Sequence, residues 1–207
     1  MSLVVANNGG AGFAPIEPGT YTAICYSMID LGNQYSEMYD NWQHKVLIGF
    51  EIPSETYTSE SGEESSRSIS KRYTASLNEK ASLRKDLASW RGRDFTDEEL
   101  KGFNLANIIG APCMINIINR ERNGRTYAEI SGIMKLPKGM PVPFGRLEKI
   151  SFDIDESPLA MIDTMPQWIQ DTIRESKEYK ARTGQAAANQ DPAGELFDRI
   201  ENDEVPF

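Results

Sequence analysis

Lysine, arginine and tyrosine side chains are concentrated in two short segments of this 207-residue chain. The segment SKRYTASL contains Lys71, Arg72 and Tyr73, and Arg67 lies just before it. The segment INRERNGRTY carries a second group around an Asn-Gly pair: Arg120, Arg122, Arg125 and Tyr127. Cationic side chains bind phosphate oxygens, and aromatic rings stack on nucleobases with about 1–3 kcal/mol per base. These residue types predict a groove for a single-stranded nucleic acid.

The charge distribution supports this interpretation, although the net charge of −9 does not. Residues 67–93 contain 8 Lys or Arg against 2 Asp or Glu, and residues 112–149 contain 7 against 3. The rest of the chain is acidic. Such segregation predicts that two basic segments converge on one surface. The alternative is an ordinary acidic surface with chance clustering.

A third group of candidates surrounds the loop between the first two predicted strands. Trp42 and Lys45 follow Tyr35 and Tyr39 there, and a loop at this place in a small barrel borders the binding cleft. Each aromatic ring could instead pack in the core. We assign Trp90 and Trp168 to packing, because both belong to predicted helices.

Residues with catalytic potential are few. Asp153 and Asp155 could hold a magnesium ion in a nuclease, but an Asp-x-Asp pair alone is a weak motif. His44 is the only histidine and is expected in the core or at its rim. The sequence has no Ser-His-Asp set, zinc-ligand spacing or P-loop. We therefore expect no enzyme, no cofactor and no bound metal.

The elements that must position these residues are mainly β. Asn-Gly between two alternating segments predicts a hairpin, and the Ser/Glu-rich residues 53–68 predict a long mobile loop. On the second strand, one face is expected to be apolar and the other solvated. The predicted elements are strands at Thr20–Gly32, Trp42–Ile52, Ile69–Leu77, Cys113–Arg122, Thr126–Leu136 and Ile150–Ile154, a helix capped by Asn78 and containing Trp90, a short helix from Thr96, and one C-terminal helix beginning near Pro166.

Three strands, a helix and a two-strand hairpin are the element order of an OB-fold, a five-stranded, partly open barrel. We predict a flexible leader at residues 1–13, an OB-fold domain at 14–155, a C-terminal helix at 156–182 and a disordered acidic tail at 183–207. Cys25 and Cys113, each within an apolar run, suggest buried thiols in a reducing compartment. The N-terminus lacks a signal peptide and no segment is long enough to span a membrane, so a cytoplasmic protein is expected.

The C-terminal sequence NDEVPF resembles the acidic tip of bacterial single-stranded DNA-binding proteins. The segments SKRYTASLNEKASLRKDLASWRGRDFTDEE and NIIGAPCMINII resemble phage-encoded single-stranded DNA-binding proteins of the OB-fold type. This tip departs from the bacterial pattern in having Val in place of Ile, an interrupting Asn and a short preceding linker. The resemblance implies that the tip recruits replication or recombination proteins and can fold back on the DNA groove. It assigns partner binding to Asp203, Glu204, Val205, Pro206 and Phe207.

We therefore expect a non-catalytic, sequence-tolerant single-stranded DNA-binding protein of phage replication, recombination or repair that acts in a bacterial host cell. A homodimer is one option for its assembly. The expected DNA-binding residues are Trp42, Lys45, Arg67, Lys71, Arg72, Tyr73, Arg120, Arg122, Arg125 and Tyr127. Two alternatives remain. One is a β-barrel adaptor that displays the tail as a peptide for other proteins, and the weaker one is a metal-dependent nuclease.

Overall fold

The computed structural model describes residues 14–58 and 62–184. The predicted leader and almost all of the predicted tail lie outside these residues. The described residues form six β-strands, four α-helices and two 3-10 helices. In chain order these are β1 Gly19–Ser36, β2 Asn41–Thr58, β3 Glu64–Thr74, α1 Ser82–Arg91, α2 Asp97–Lys101, a 3-10 helix Leu105–Ile108, β4 Pro112–Arg122, β5 Arg125–Met134, β6 Ile150–Phe152, a 3-10 helix Leu159–Thr164, α3 Gln167–Arg174 and α4 Lys177–Arg182.

The protein is mainly β, and the strand order β3-β2-β1-β4-β5 confirms the predicted OB-fold. β1 belongs to both halves of the barrel: its first part pairs with β4, from Gly19 opposite Ile117, and its second part pairs with β2, ending with Ser36 opposite Asn41. The two parts meet at Ile24, and just beyond it the pairing with β2 has a register shift between Cys25 and Ser27; such bulges bend a strand. β1 can therefore bend from one half of the barrel into the other, as barrel closure requires.

The interior of the barrel is filled by apolar side chains from all five strands, and α1 closes it between β3 and β5. Trp90 of α1 is 5% exposed, packs against Phe50 with ring centroids 5.5 Å apart, and donates its indole N–H to the carbonyl oxygen of Pro112. This confirms its assignment to packing. The Asn-Gly hairpin is also confirmed, because Asn123 and Gly124 both have positive φ, as a two-residue type I′ turn requires.

A second apolar core lies outside the barrel. Ile29 of β1 and Leu47 of β2 point away from the interior and contact β6, the second 3-10 helix and α3. The second strand was predicted to have a solvated face, and this prediction is wrong because the C-terminal segment covers that face. The junction between α3 and α4 approaches β1 at Gly32, where a Cβ would lie 2.7 Å from the Cβ of Ser176.

Two local predictions are also wrong. Residues 53–68 are not one long loop, since β2 continues to Thr58 and β3 begins at Glu64. Pro53 fits within β2 because the register shifts between Ile52 and Thr56, where the ladder is interrupted. Asn78 does not cap α1. Its carboxamide oxygen accepts the N–H of Lys80 in a preceding turn instead, so α1 begins after Ala81 without a side-chain cap.

The predicted C-terminal helix is divided into two. Ser176 is fully buried, donates its hydroxyl to the carbonyl oxygen of Ile173 and accepts the N–H of Tyr179. One side chain thus ends α3 and caps α4. Pro166 immediately precedes α3, as predicted. The predicted short helix from Thr96 is confirmed as α2, which Thr96 and Glu99 begin with a capping box.

Candidate nucleic-acid interface

The β4–β5 hairpin carries four of the predicted DNA-binding residues on one face. The register pairs Arg120 with Tyr127 and Arg122 with Arg125, and residues two apart on a strand share a face. The side chains of Arg120 and Arg122 are 58% and 65% exposed. Three guanidinium groups and a phenol ring therefore lie side by side on a hairpin that extends beyond the barrel. We call this surface the arginine face.

One carboxylate lies on the same face. Glu129 accepts from Arg120 Nε at 2.8 Å through one oxygen and from an Arg122 terminal nitrogen at 2.7 Å through the other. These exposed ion pairs hold both guanidinium groups close to the sheet. A phosphate that binds here must compete with Glu129 or share the arginines with it.

Arg67 lies on the same half of the molecule. It pairs with Ile52 of β2, next to the pairing of Glu51 with Ile24 in the bent part of β1. Its guanidinium group donates to the carbonyl oxygen of Ala14. Part of its hydrogen-bonding capacity is therefore used by the segment that leads into β1.

Lys45 and Arg72 form a second basic group, on the outer face of β2 and β3. Lys45 Nζ donates to Gln43 and to the hydroxyl of Thr74, both at 2.7 Å. Burial and, secondarily, the nearby Arg72 lower the pKa of Lys45, and burial lowers the pKa of Arg72. Two cations placed close together in a partly desolvated site repel each other, and an anion bound between them would stabilise both charges.

Two predicted DNA-binding residues belong to the fold instead. Tyr73 is 2% exposed and donates its hydroxyl to Asp86 of α1 at 2.7 Å, so its ring offers no face to a base. Burial is the main cause of the raised pKa of this phenol, and the neighbouring Asp86 carboxylate raises it further. Lys71 Nζ lies 2.7 Å from the same carboxylate. The prediction for Tyr73 is corrected, because it points into the barrel between β3 and α1.

Trp42 is exposed at the tip of the β1–β2 hairpin, where 41% of the residue is accessible. Its ring lies 5.5 Å from that of Tyr35, and Lys177 Nζ of α4 sits 4.3 Å from its centroid. A cation over an indole face stabilises the contact but occupies that face. Base stacking on Trp42 stays a prediction that would use the other face or displace Lys177.

The predicted residues do not converge on a single surface. Trp42 of β2 pairs with Tyr35 near the C-terminal end of β1. The arginine face lies at the opposite end, beyond the N-terminus of β1. The outer face of β2 and β3 between them, where an OB-fold holds its ligand, is partly covered by α3, and Arg72 contacts Thr172 of that helix at 3.4 Å. The sequence analysis did not predict that α3 covers this face, that Lys177 lies over Trp42 or that Glu129 pairs with Arg120 and Arg122. The two-residue turn would have revealed Glu129, because it fixes the register of the hairpin.

The remaining candidates occupy structural positions. His44 Nε2 lies 2.7 Å from Asp30 Oδ1 at the barrel rim, and that hydrogen bond raises the histidine pKa against the opposing effect of burial. Asp153 accepts the N–H of Asp155 at 2.9 Å in a turn. Within residues 14–58 and 62–184, no group of three or more His, Cys, Asp and Glu side chains is placed to hold a metal ion. Cys25 and Cys113 are buried, as predicted.

No protein-family model matches the chain, and no curated protein matches it either. The resemblance to phage and bacterial single-stranded DNA-binding proteins stays a prediction. In the part of the chain that the structure covers, no helix has the length and apolar character needed to cross a membrane.

Proposed function

We propose that this protein binds single-stranded DNA without catalysis and with little sequence preference, in the replication, recombination or repair of phage DNA inside a bacterial cell. The observation that carries the proposal is the arginine face: Arg120, Arg122, Arg125 and Tyr127 share one side of the β4–β5 hairpin. In an OB-fold the loop of this hairpin borders the ligand. Cations that track phosphates beside an aromatic ring that stacks on bases are the two parts of a sequence-tolerant site.

The proposed DNA path is centred on the arginine face, and Arg67 lies on the same half of the molecule. Lys45 and Arg72 lie apart from it, on the outer face of β2 and β3 that α3 partly covers. Each of these cations that contacts a phosphate adds to the salt dependence of binding. Tyr127 is half-buried beside Arg120 and supplies the stacking surface at the hairpin. Single strands are favoured over duplex DNA because only unpaired bases present their faces to a ring.

The acidic C-terminal tip has a separate role in the proposal, although it lies outside the described residues. Asp203 and Glu204 supply charge, and Phe207 supplies an aromatic ring and the terminal carboxylate. The ring fills an apolar pocket of a replication or recombination protein, and the charges pair with a basic rim. In the absence of DNA the same acidic side chains pair with the cationic side chains of the protein's own DNA site.

The test is a binding titration with poly-dT, duplex DNA and RNA at two salt concentrations. A charge-reversal variant, Arg120→Glu with Arg122→Glu, is compared with Lys80→Glu and Lys85→Glu, which reverses two exposed lysines before and on α1. The proposal expects the first variant to lose poly-dT affinity by at least about a hundredfold, given 1.4 kcal/mol per tenfold and two charge-assisted contacts. The lysine variant should lose much less.

Equal losses in the two variants would reduce the effect to general charge and remove the arginine face from the site. A folded wild-type protein that binds none of the three nucleic acids would refute DNA binding and favour the adaptor alternative. Circular dichroism melting of each variant separates loss of the site from loss of the fold.

A further inference from the structure

The tip of the β1–β2 hairpin exposes an apolar surface with negative charge. Tyr35, Met38 and Tyr39 are 50%, 83% and 65% exposed. Glu37 lies between Tyr35 and Met38 and Asp40 follows Tyr39, and both acidic residues are also exposed. We call this surface the tip patch. Clusters of exposed aromatic and methionine side chains are more frequent at protein–protein contacts than on the rest of a protein surface.

The connection between β5 and β6 exposes a second apolar surface, and here the flanking charge is positive. Met140, Val142 and Phe144 are 38%, 68% and 83% exposed, and prolines alternate with them at positions 141 and 143. Lys138 and Lys149 are exposed on either side. We call this surface the loop patch.

The loop patch is held in place by a buried carboxylate. Glu51 of β2 is 1% exposed and accepts the N–H groups of Arg146 at 2.7 Å and Leu147 at 3.1 Å. A Cβ on Gly145 would lie 2.7 Å from Glu51, so the close approach requires glycine. Phe144 is therefore displayed from a fixed segment, and a pre-ordered aromatic side chain loses little entropy when it binds.

The two patches cannot meet within one molecule. The tip patch adjoins Asn41 and the loop patch is anchored at Glu51, and the ten residue-to-residue steps of β2 between these two positions span about 33 Å at the usual rise of a strand. Each patch is apolar at its centre, and their charges are opposite. They match each other, and both are present on every copy of the chain.

We propose that the protein associates head to tail, with the tip patch of one copy docking on the loop patch of a second copy. The contact is heterologous, so an open assembly keeps one unused tip patch at one end and one unused loop patch at the other. Met38 and Tyr39 pack against Val142 and Phe144, and Glu37 lies near Lys138 or Lys149. The inference goes beyond the proposed function and does not depend on DNA binding.

Sedimentation velocity of the full chain without DNA tests this, up to about 200 µM because a contact of this small size is weak. The tip variant is Met38→Ser with Tyr39→Ser, and the loop variant is Val142→Ser with Phe144→Ser. Met134→Ser is the matched control, because Met134 is also exposed, at 40%, but belongs to neither patch. Wild type and control should form dimers and longer assemblies, which shorten as salt rises.

Each patch variant alone should stay monomeric. An equimolar mixture of the two should form a dimer and nothing larger, because the tip variant keeps its loop patch and the loop variant keeps its tip patch. A wild-type protein that is monomeric throughout the range would overturn the proposal. Variants that associate like wild type, or a mixture that stays monomeric while wild type associates, would overturn it as well.

Discussion

Replacing Glu129 by Gln should strengthen the binding of single-stranded DNA. Glu129 neutralises part of the arginine face by pairing with Arg120 and Arg122 at 2.8 and 2.7 Å. The substitution keeps the shape of the side chain and removes its charge. Exposed ion pairs contribute about 0.2–1 kcal/mol each to stability, so the fold should tolerate the change.

The expected gain follows from the repulsion that is removed. A phosphate bound to these arginines lies roughly 6 Å from the Glu129 carboxylate, where Coulomb's law in water gives about 0.7 kcal/mol. Screening at 0.1 M salt lowers this to about 0.4 kcal/mol per phosphate. Two phosphates and the released arginines together give about 1 kcal/mol, which corresponds to about fivefold tighter binding.

The assay is a fluorescence anisotropy titration with labelled oligo-dT at about 0.1 M and about 1 M salt, because the Debye length falls between them from about 10 to about 3 Å. Glu121→Gln is the matched control. Glu121 lies on the same hairpin between Arg120 and Arg122, and the alternation of the strand turns it to the opposite face. Unchanged or weaker binding by Glu129→Gln, or an equal gain in the control, would refute the location of the DNA on the arginine face.

Three further outcomes are expected. Tyr127→Ala should weaken oligo-dT binding by about 1–3 kcal/mol at unchanged melting temperature, whereas Tyr73→Ala should destabilise the protein by about 3–5 kcal/mol in urea unfolding, and the reverse pattern would contradict both assignments. The raised pKa of His44 means that its pair with Asp30 stabilises the fold fully below about pH 6.5 and loses that contribution as pH rises through the higher folded pKa. His44→Gln should flatten this part of a melting-temperature profile, and an unchanged profile would contradict the role of the pair. Deleting residues 201–207 should strengthen oligo-dT binding at low salt and abolish capture of replication or recombination proteins, and weaker binding by the truncated chain would place the tail in the DNA site.

Local patterns predicted much of the fold. The Asn-Gly turn fixed the register of β4 and β5, the aromatic and branched residues located β1, and the alternation of its apolar residues located β2. The failures have physical causes. The sequence of residues 53–58 has no apolar period, so it did not look like a strand. Its Thr and Tyr side chains nevertheless suit an extended hairpin, and their exposure alternates along the strand.

The candidate site was harder to predict than the fold. Tyr73 and Arg72 are neighbours in sequence, but a strand turns them to opposite faces, and only the tertiary structure decides which face is the interior. Nothing local in the sequence showed that Leu47 would be covered by a segment more than a hundred residues away. Charge clustering along the chain therefore overestimated how many of these residues share one surface.

The second core makes the C-terminal segment part of the folding unit. Ile29 and Leu47 are 3% and 4% exposed only because α3 and its neighbours lie over them. A fragment cut at residue 155, where the barrel strands have ended, would leave this apolar area in water and invite aggregation. The shortest fragment worth expressing therefore includes α4 and ends at residue 184. A second protein fused to the C-terminal side of the barrel should likewise be joined after residue 184.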